Sequence, residues 1–202
     1  MGKTPVGWLV GFVRRQGRNF RVLLVRKLGY SLLGRLSHQY TSLYALQLGA
    51  DKIALGTLNS VGSAVSTVLS MPIGRLVDRY SLRKMMLFAM VLEILVPVAY
   101  AASWDWIMLI PALILFQMTG FRSIAVTVEN VYIAGSLKDE DRASGFGVST
   151  VMATIGGTLA PLIAAYLVVA FGGISAEGIR PLFLIQVTAL VPLAIFIFLQ
   201  LT

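Results

Sequence analysis

The chain contains no cysteine and a single histidine, His38. That excludes disulfide bonds and thiolate metal sites, and it leaves no His/Cys ligand set for zinc. No metal and no other cofactor is expected. Charge is scarce too. Only 13% of the 202 residues are charged, against about 25% in a soluble domain. Such a chain cannot cover a surface facing water, so its expected solvent is the bilayer. What it has in quantity is hydrophobic sequence, 57% of residues, with a mean hydropathy of +0.81. The net charge is +8. The cations lie between apolar runs rather than on a polar domain, which argues for membrane lipid and against nucleic acid as a partner.

The start, MGKTPVGWLVGFVRRQGRNF, places its apolar stretch before its arginines, the reverse of a secretory signal. Val6 breaks the myristoylation pattern. Residues 1–20 read as a cytoplasmic basic amphipathic segment, with Trp8 and Phe12 in the membrane interface and Arg14, Arg15 and Arg18 on anionic head groups; the alternative is a disordered basic tail. Residues 21–202 read as one transmembrane domain. A membrane helix needs about 20 mostly apolar residues. Six spans are predicted, at roughly 27–48, 53–73, 84–103, 106–134, 144–171 and 181–201. Thirteen of the 17 cations fall at the start or in the turns after the second and fourth spans; Lys52 and Arg180 fall on the opposite side. This asymmetry predicts cytoplasmic N- and C-termini in a plasma (inner) membrane.

The spans differ in polarity. In the first, Ser31, Arg35, His38 and Ser42 share one helical face. The second carries Asn59, Ser63, Ser66 and Ser70 on one stripe, and the fourth carries Thr119, Arg122 and Glu129. The fifth holds Ser149, Thr150, Thr154 and Thr158 among its glycines. The third and sixth are nearly all apolar, with Glu93 the one charge in the third. The first, second, fourth and fifth spans are therefore expected to face protein or a wet cavity, and the third and sixth mostly lipid. Charges at membrane depth cost about 2.5–3.5 kcal/mol each on insertion scales. Arg35, His38, Arg122 and Glu129 are the candidates for a substrate or proton cavity. The alternative is structural pairing, Arg122 with Glu129 or Arg35 with Glu93. Rows of small residues, Gly56/Ser60/Ala64 and Ala153/Gly157/Pro161, suit close helix packing.

The turn GRLVDRYSLRKMM, residues 74–86, resembles the signature between the second and third helices of the major facilitator superfamily, G-x-L-a-D-R-x-G-R-K-x-x-l. Gly74, Leu76, Asp78 and Arg79 match, and Arg83 matches as a basic residue; Val77, Ser81, Leu82 and Met86 depart. Ser81 replaces the second glycine and is a candidate N-cap for the third span. NVYIAGSLKDEDRASGFG, residues 130–147, is similar to the family's passage from helix 4 to helix 5. GGTLAPLIAA, residues 156–165, has the spacing of its helix-5 pattern G-x-x-x-G-P-x-x-G-G, with Gly156 and Pro161 matching and Ala160, Ala164 and Ala165 in place of glycines. Gly156, Gly157 and Pro161 are thus packing candidates, and the pattern is associated with export by antiport.

The resemblance implies an all-α integral membrane protein of six transmembrane helices, one half of a major facilitator-type bundle built from two inverted three-helix repeats. It implies secondary active transport of a small solute by alternating access, with Gly74, Asp78, Arg79 and Arg83 as a cytoplasmic gating turn. Members have twelve helices, so a second six-helix half is expected as partner, either a C-terminal half or a second copy in a homodimer. The alternative is a non-transporting membrane module or assembly subunit. An enzyme is not expected: the H-E-x-x-H zinc motif and the G-x-S-G context of an intramembrane serine protease are missing.

Overall fold

The computed structural model describes residues 5–119 and 124–200, and among them every regular element is helical. A short amphipathic helix, α1 (Pro5–Arg15), precedes α2 (Arg18–Leu33), α3 (Thr41–Gln47), α4 (Lys52–Arg79) and α5 (Leu82–Ala101). Then follow α6 (Leu109–Thr119), α7 (Ile124–Ser136), α8 (Asp139–Ala170) and α9 (Ala176–Gln200). Three of these, α5, α8 and α9, are long and apolar enough to cross a membrane unaided. Residues 106–118 form a shorter apolar helical stretch.

Two predicted spans are not continuous helices. The first begins earlier than expected, at Arg18, and breaks after Leu33. Residues 34–37 turn, His38–Tyr40 form one 3₁₀ turn, and α3 resumes at Thr41. No proline causes this. In the segment GRLSHQY it is chiefly Gly34 and Ser37 that weaken a helix, and just beyond it the Thr41 hydroxyl donates back to the His38 carbonyl at 2.8 Å. The break also splits the face expected for this span: Ser31 is buried, whereas Arg35, His38 and Ser42 are exposed. The fourth span opens with a 3₁₀ turn at Trp106–Met108 and is described as two helices, α6 and α7.

Local chemistry sets the other boundaries. Asp51 caps α4, accepting from the Ala54 amide at 2.7 Å. Glycines at positive φ end α3 (Gly49, +93°) and α8 (Gly172, +103°), each followed by an amide bonded five residues back, Ala50 to Ala45 and Gly173 to Val168. Ser81 has the extended backbone of an N-cap for α5, but its hydroxyl makes no capping bond. Asp139, Glu140 and Asp141 occupy the first turn of α8, where the helix dipole favours them.

The core has two parts. At the end carrying the N-terminus, Phe12, Phe20, Leu23, Met86, Val128, Ile133 and Ile197 pack together, so α1 is fastened to the bundle through Phe12. At the other end the cluster includes Leu36, Tyr44, Tyr100, Ile179 and Phe183. α2 packs most extensively on α8, and α5 on α9, α6 and α7. The third span was expected mostly against lipid. Instead α5 is the most enclosed of the long apolar helices, with only one exposed stripe, Phe88, Val91, Leu95 and Val98. Apolar side chains suit protein and lipid equally, so composition alone does not separate the two surroundings.

Candidate functional site

Two helices expose hydroxyl and amide side chains, with apolar ones such as Val68, Val151, Ile155 and Leu159 also exposed on them. α4 exposes Asn59, Ser60, Ser63 and Thr67; α8 exposes Thr150, Thr154 and Thr158. The break in the first span leaves Arg35, His38 and Gln39 exposed, beside α8 and α6. The Arg35 guanidinium lies against α8 where Gly157 lacks a side chain; a Cβ there would stand 2.6 Å from Nη1. Gln39 Nε2 donates to the Pro161 carbonyl at 3.4 Å. The His38 ring lies 5.4 Å from that of Phe116 on α6. Next to Phe116, the Gln117 amide fills the space over Gly62 of α4, where a Cβ would stand 2.7 Å from Nε2. Contacts thus link the first predicted span to the fifth and the fourth, and the fourth to the second. Ser37 points into the core and donates to Gln186 Oε1 at 2.7 Å. Arg122 lies outside the described residues.

A buried ion cluster lies within the bundle. Arg26 on α2 donates from Nη1 to Glu129 Oε2 on α7 and from Nη2 to Glu93 Oε1 on α5, both at 2.7 Å. Lys27 Nζ stands 3.4 Å from the same Glu129 oxygen. Arg26 also lies 5.5 Å over the Tyr30 ring. The two acids at membrane depth are therefore paired, but neither with Arg35. Sequence reasoning placed Arg26 with the cations of the chain start. The missed signal was that two intramembrane carboxylates require a cation, and Arg26, one residue before the predicted start of the first span, lies inside α2 (Arg18–Leu33). Among the candidates of the sequence reading, Glu129 sits buried in this cluster, whereas Arg35 and His38 are exposed.

The family model described as Major Facilitator Superfamily matches residues 36–202. The chain belongs to that superfamily. No curated protein matches it. Membership in a transporter family, together with the apolar helices, makes this an integral membrane protein.

In this superfamily member the charged turn joins α4 to α5. Gly74 and Asp78 lie on the last turns of α4, and their side chains fall outside the described ones. Arg79, the last residue of α4, and Arg83, in the first turn of α5, are exposed. Arg83 stands 5.3 Å over the Phe198 ring of α9. The helix-5 glycines differ in what they touch. At Gly156, α8 meets α2 backbone to backbone: a Cβ would stand 2.7 Å from the Leu28 carbonyl oxygen and 2.8 Å from the Leu32 nitrogen. Gly157 meets only the Arg35 side chain. At the opposite end a clamp joins α3, α9 and the turn after α5. Arg180 donates to the Tyr44 hydroxyl (3.1 Å) and the Ser103 carbonyl (2.9 Å), and its guanidinium lies 4.4 Å over Trp104.

Proposed function

We propose that the chain is one half of a secondary active transporter for a small solute. A second six-helix half, a companion domain or another copy of this chain, closes over the exposed polar side chains. The six crossings are α2–α3, α4, α5, α6–α7, α8 and α9, with both termini cytoplasmic in a plasma membrane, as the distribution of cations suggests. The observation that carries this reading is that polar exposure. It leaves Arg35, His38, Asn59, Ser60 and Ser63 at depths where lipid offers no hydrogen bonds, whereas the Thr67, Thr150 and Thr154 hydroxyls donate to carbonyls of their own helices. Non-helical backbone at membrane depth, as at 34–37, is tolerated where it is buried in protein or lines a water-filled cavity. Solute would bind there, and the two halves would rock around it. Gly74, Asp78, Arg79 and Arg83 would latch the cytoplasmic side. Proton coupling would run through Glu129, whose Oε1 has no hydrogen-bond partner among the described residues. Export by exchange is the direction suggested by the Gly156/Pro161 pattern.

The natural lack of cysteine allows a direct test. Single cysteines at Ser63 or Thr154 should react with a membrane-impermeant maleimide in intact membranes, and one at Val91 on α5 should not. The reverse pattern would place lipid over the polar side chains of α4 and α8 and end the transport reading. In liposomes holding the complete assembly, Glu129→Gln should abolish uptake driven by a pH gradient while leaving exchange; unchanged driven uptake would remove Glu129 from coupling.

A further inference from the structure

The balance of charge at membrane depth points to the chemistry of the ligand. The chain has nine acidic residues. Asp51, Asp105, Asp139, Glu140, Asp141 and Glu177 lie in turns or first helical turns, and Asp78 lies on the last turn of α4. The remaining two, Glu93 and Glu129, are held by Arg26, with Lys27 beside Glu129. Arg35 is thus a cation at membrane depth with no ion pair or hydrogen bond among the described residues. Its level is set by its neighbours, Gly157 midway along α8 and, through Ser37, Gln186 near the middle of α9. A guanidinium there is costly unless an anion or water meets it. Gly157 leaves room for it against α8, with Nη1 the guanidinium atom nearest that helix, and the residue as a whole stays exposed. The His38–Phe116 ring pair stands one turn along.

We propose that Arg35 is the binding residue for the anionic group of the transported solute, an organic anion carrying a carboxylate, sulfonate or phosphate on an apolar or aromatic body. The guanidinium meets two oxygens of such a group in fork geometry, and the His38–Phe116 pair offers a ring surface for the body. This deepens the transport reading above and rests on it for the word solute.

The test uses the full chain in a neutral detergent, with unfolding followed by tryptophan fluorescence. Phenyl phosphate and benzoate are the probes. Benzamide, benzamidine and sodium chloride at matched ionic strength are the controls. The two anions should raise the unfolding temperature and the controls should not. Arg35→Gln should remove the rise, weakening apparent affinity about tenfold or more, and Arg35→Lys should keep part of it. Because Arg35 is exposed and unpaired, Arg35→Gln without probe should unfold like the parent, which controls for folding. A rise that survives in Arg35→Gln, or one produced equally by benzamide, overturns the proposal. No response to either anion also overturns it, since the counter-charge then comes from elsewhere, such as a carboxylate of the second half. A rise with phosphatidylglycerol micelles that phenyl phosphate cannot compete away assigns the residue to a lipid head group and overturns it as well. An Arg35-dependent anion response in an assembly that moves no solute would keep the site and discard the transport reading.

Discussion

Replacing Arg26 by methionine removes the one cation shared by Glu93 and Glu129. Its side chain is 2% exposed, and those of the carboxylates 5% and 3%, so water does not take over its role. Each carboxylate loses a bond of 2.7 Å. A hydrogen bond to a charged group contributes about 1.5–3 kcal/mol, which puts the pair at roughly 3–6 kcal/mol. Lys27, 3.4 Å from Glu129, recovers part of this on one side only. Breaking a buried pair from one partner costs about 3–5 kcal/mol, and the loss for Arg26→Met should fall in that range. Replacing all three charges, with Arg26→Met, Glu93→Gln and Glu129→Gln together, leaves only the partly exposed Lys27 without its carboxylate and should restore most of the stability. The assay is reversible unfolding in mixed micelles as dodecyl sulfate replaces a mild detergent. If Arg26→Met unfolds at the parent's dodecyl sulfate fraction, the three-helix cluster does not hold the fold. If the neutral triple variant is no more stable than the single one, the loss is one of packing, and the electrostatic account is wrong.

Gly156→Ala should destabilise, because its Cβ would strike backbone atoms of α2 that cannot retreat. Overpacking costs about 1–3 kcal/mol, offset in part by the roughly 1 kcal/mol that alanine gains over glycine in a helix. Gly157→Ala meets only the Arg35 side chain and should be close to neutral in the same unfolding assay; the opposite order would refute the contact assignment. Tyr44→Phe removes the acceptor for Arg180 and should cost about 1–2 kcal/mol. Faster amide exchange in α3 and the start of α9 is the measurement that checks it, and unchanged exchange would show that the clamp carries no load.

Long apolar runs made α5, α8 and α9 legible in the sequence, and the turns between them were marked by clustered charge. The hydrophilic stripes of α4 and α8 were legible in part: Asn59, Ser63, Thr150, Thr154 and Thr158 are exposed, whereas Ser66 is half-buried, Ser149 is buried, and the Ser70 side chain lies outside the described ones. The ion cluster was not. Arg26 closes a basic run and reads as a rim cation, while its partners lie 67 and 103 residues away along the chain. No local pattern encodes a contact of that separation. The break at 34–40 was hidden because it uses no proline and only Gly34 followed by ordinary polar residues. Its effect on the site is large, since it turns Arg35 and His38 outward while Ser37 turns inward.

The two pieces of the first crossing are fixed to different things. α2 is riveted to α5 and α7 through Arg26 and to α8 at Gly156. α3 is moored to α9 and the turn after α5 through Tyr44. The short GRLSHQY link between them is pinned to α9 by Ser37 and to the core by Leu36. On the transport reading, a shear between the two ends of the bundle would load this link, and a group gripping Arg35 would stiffen it.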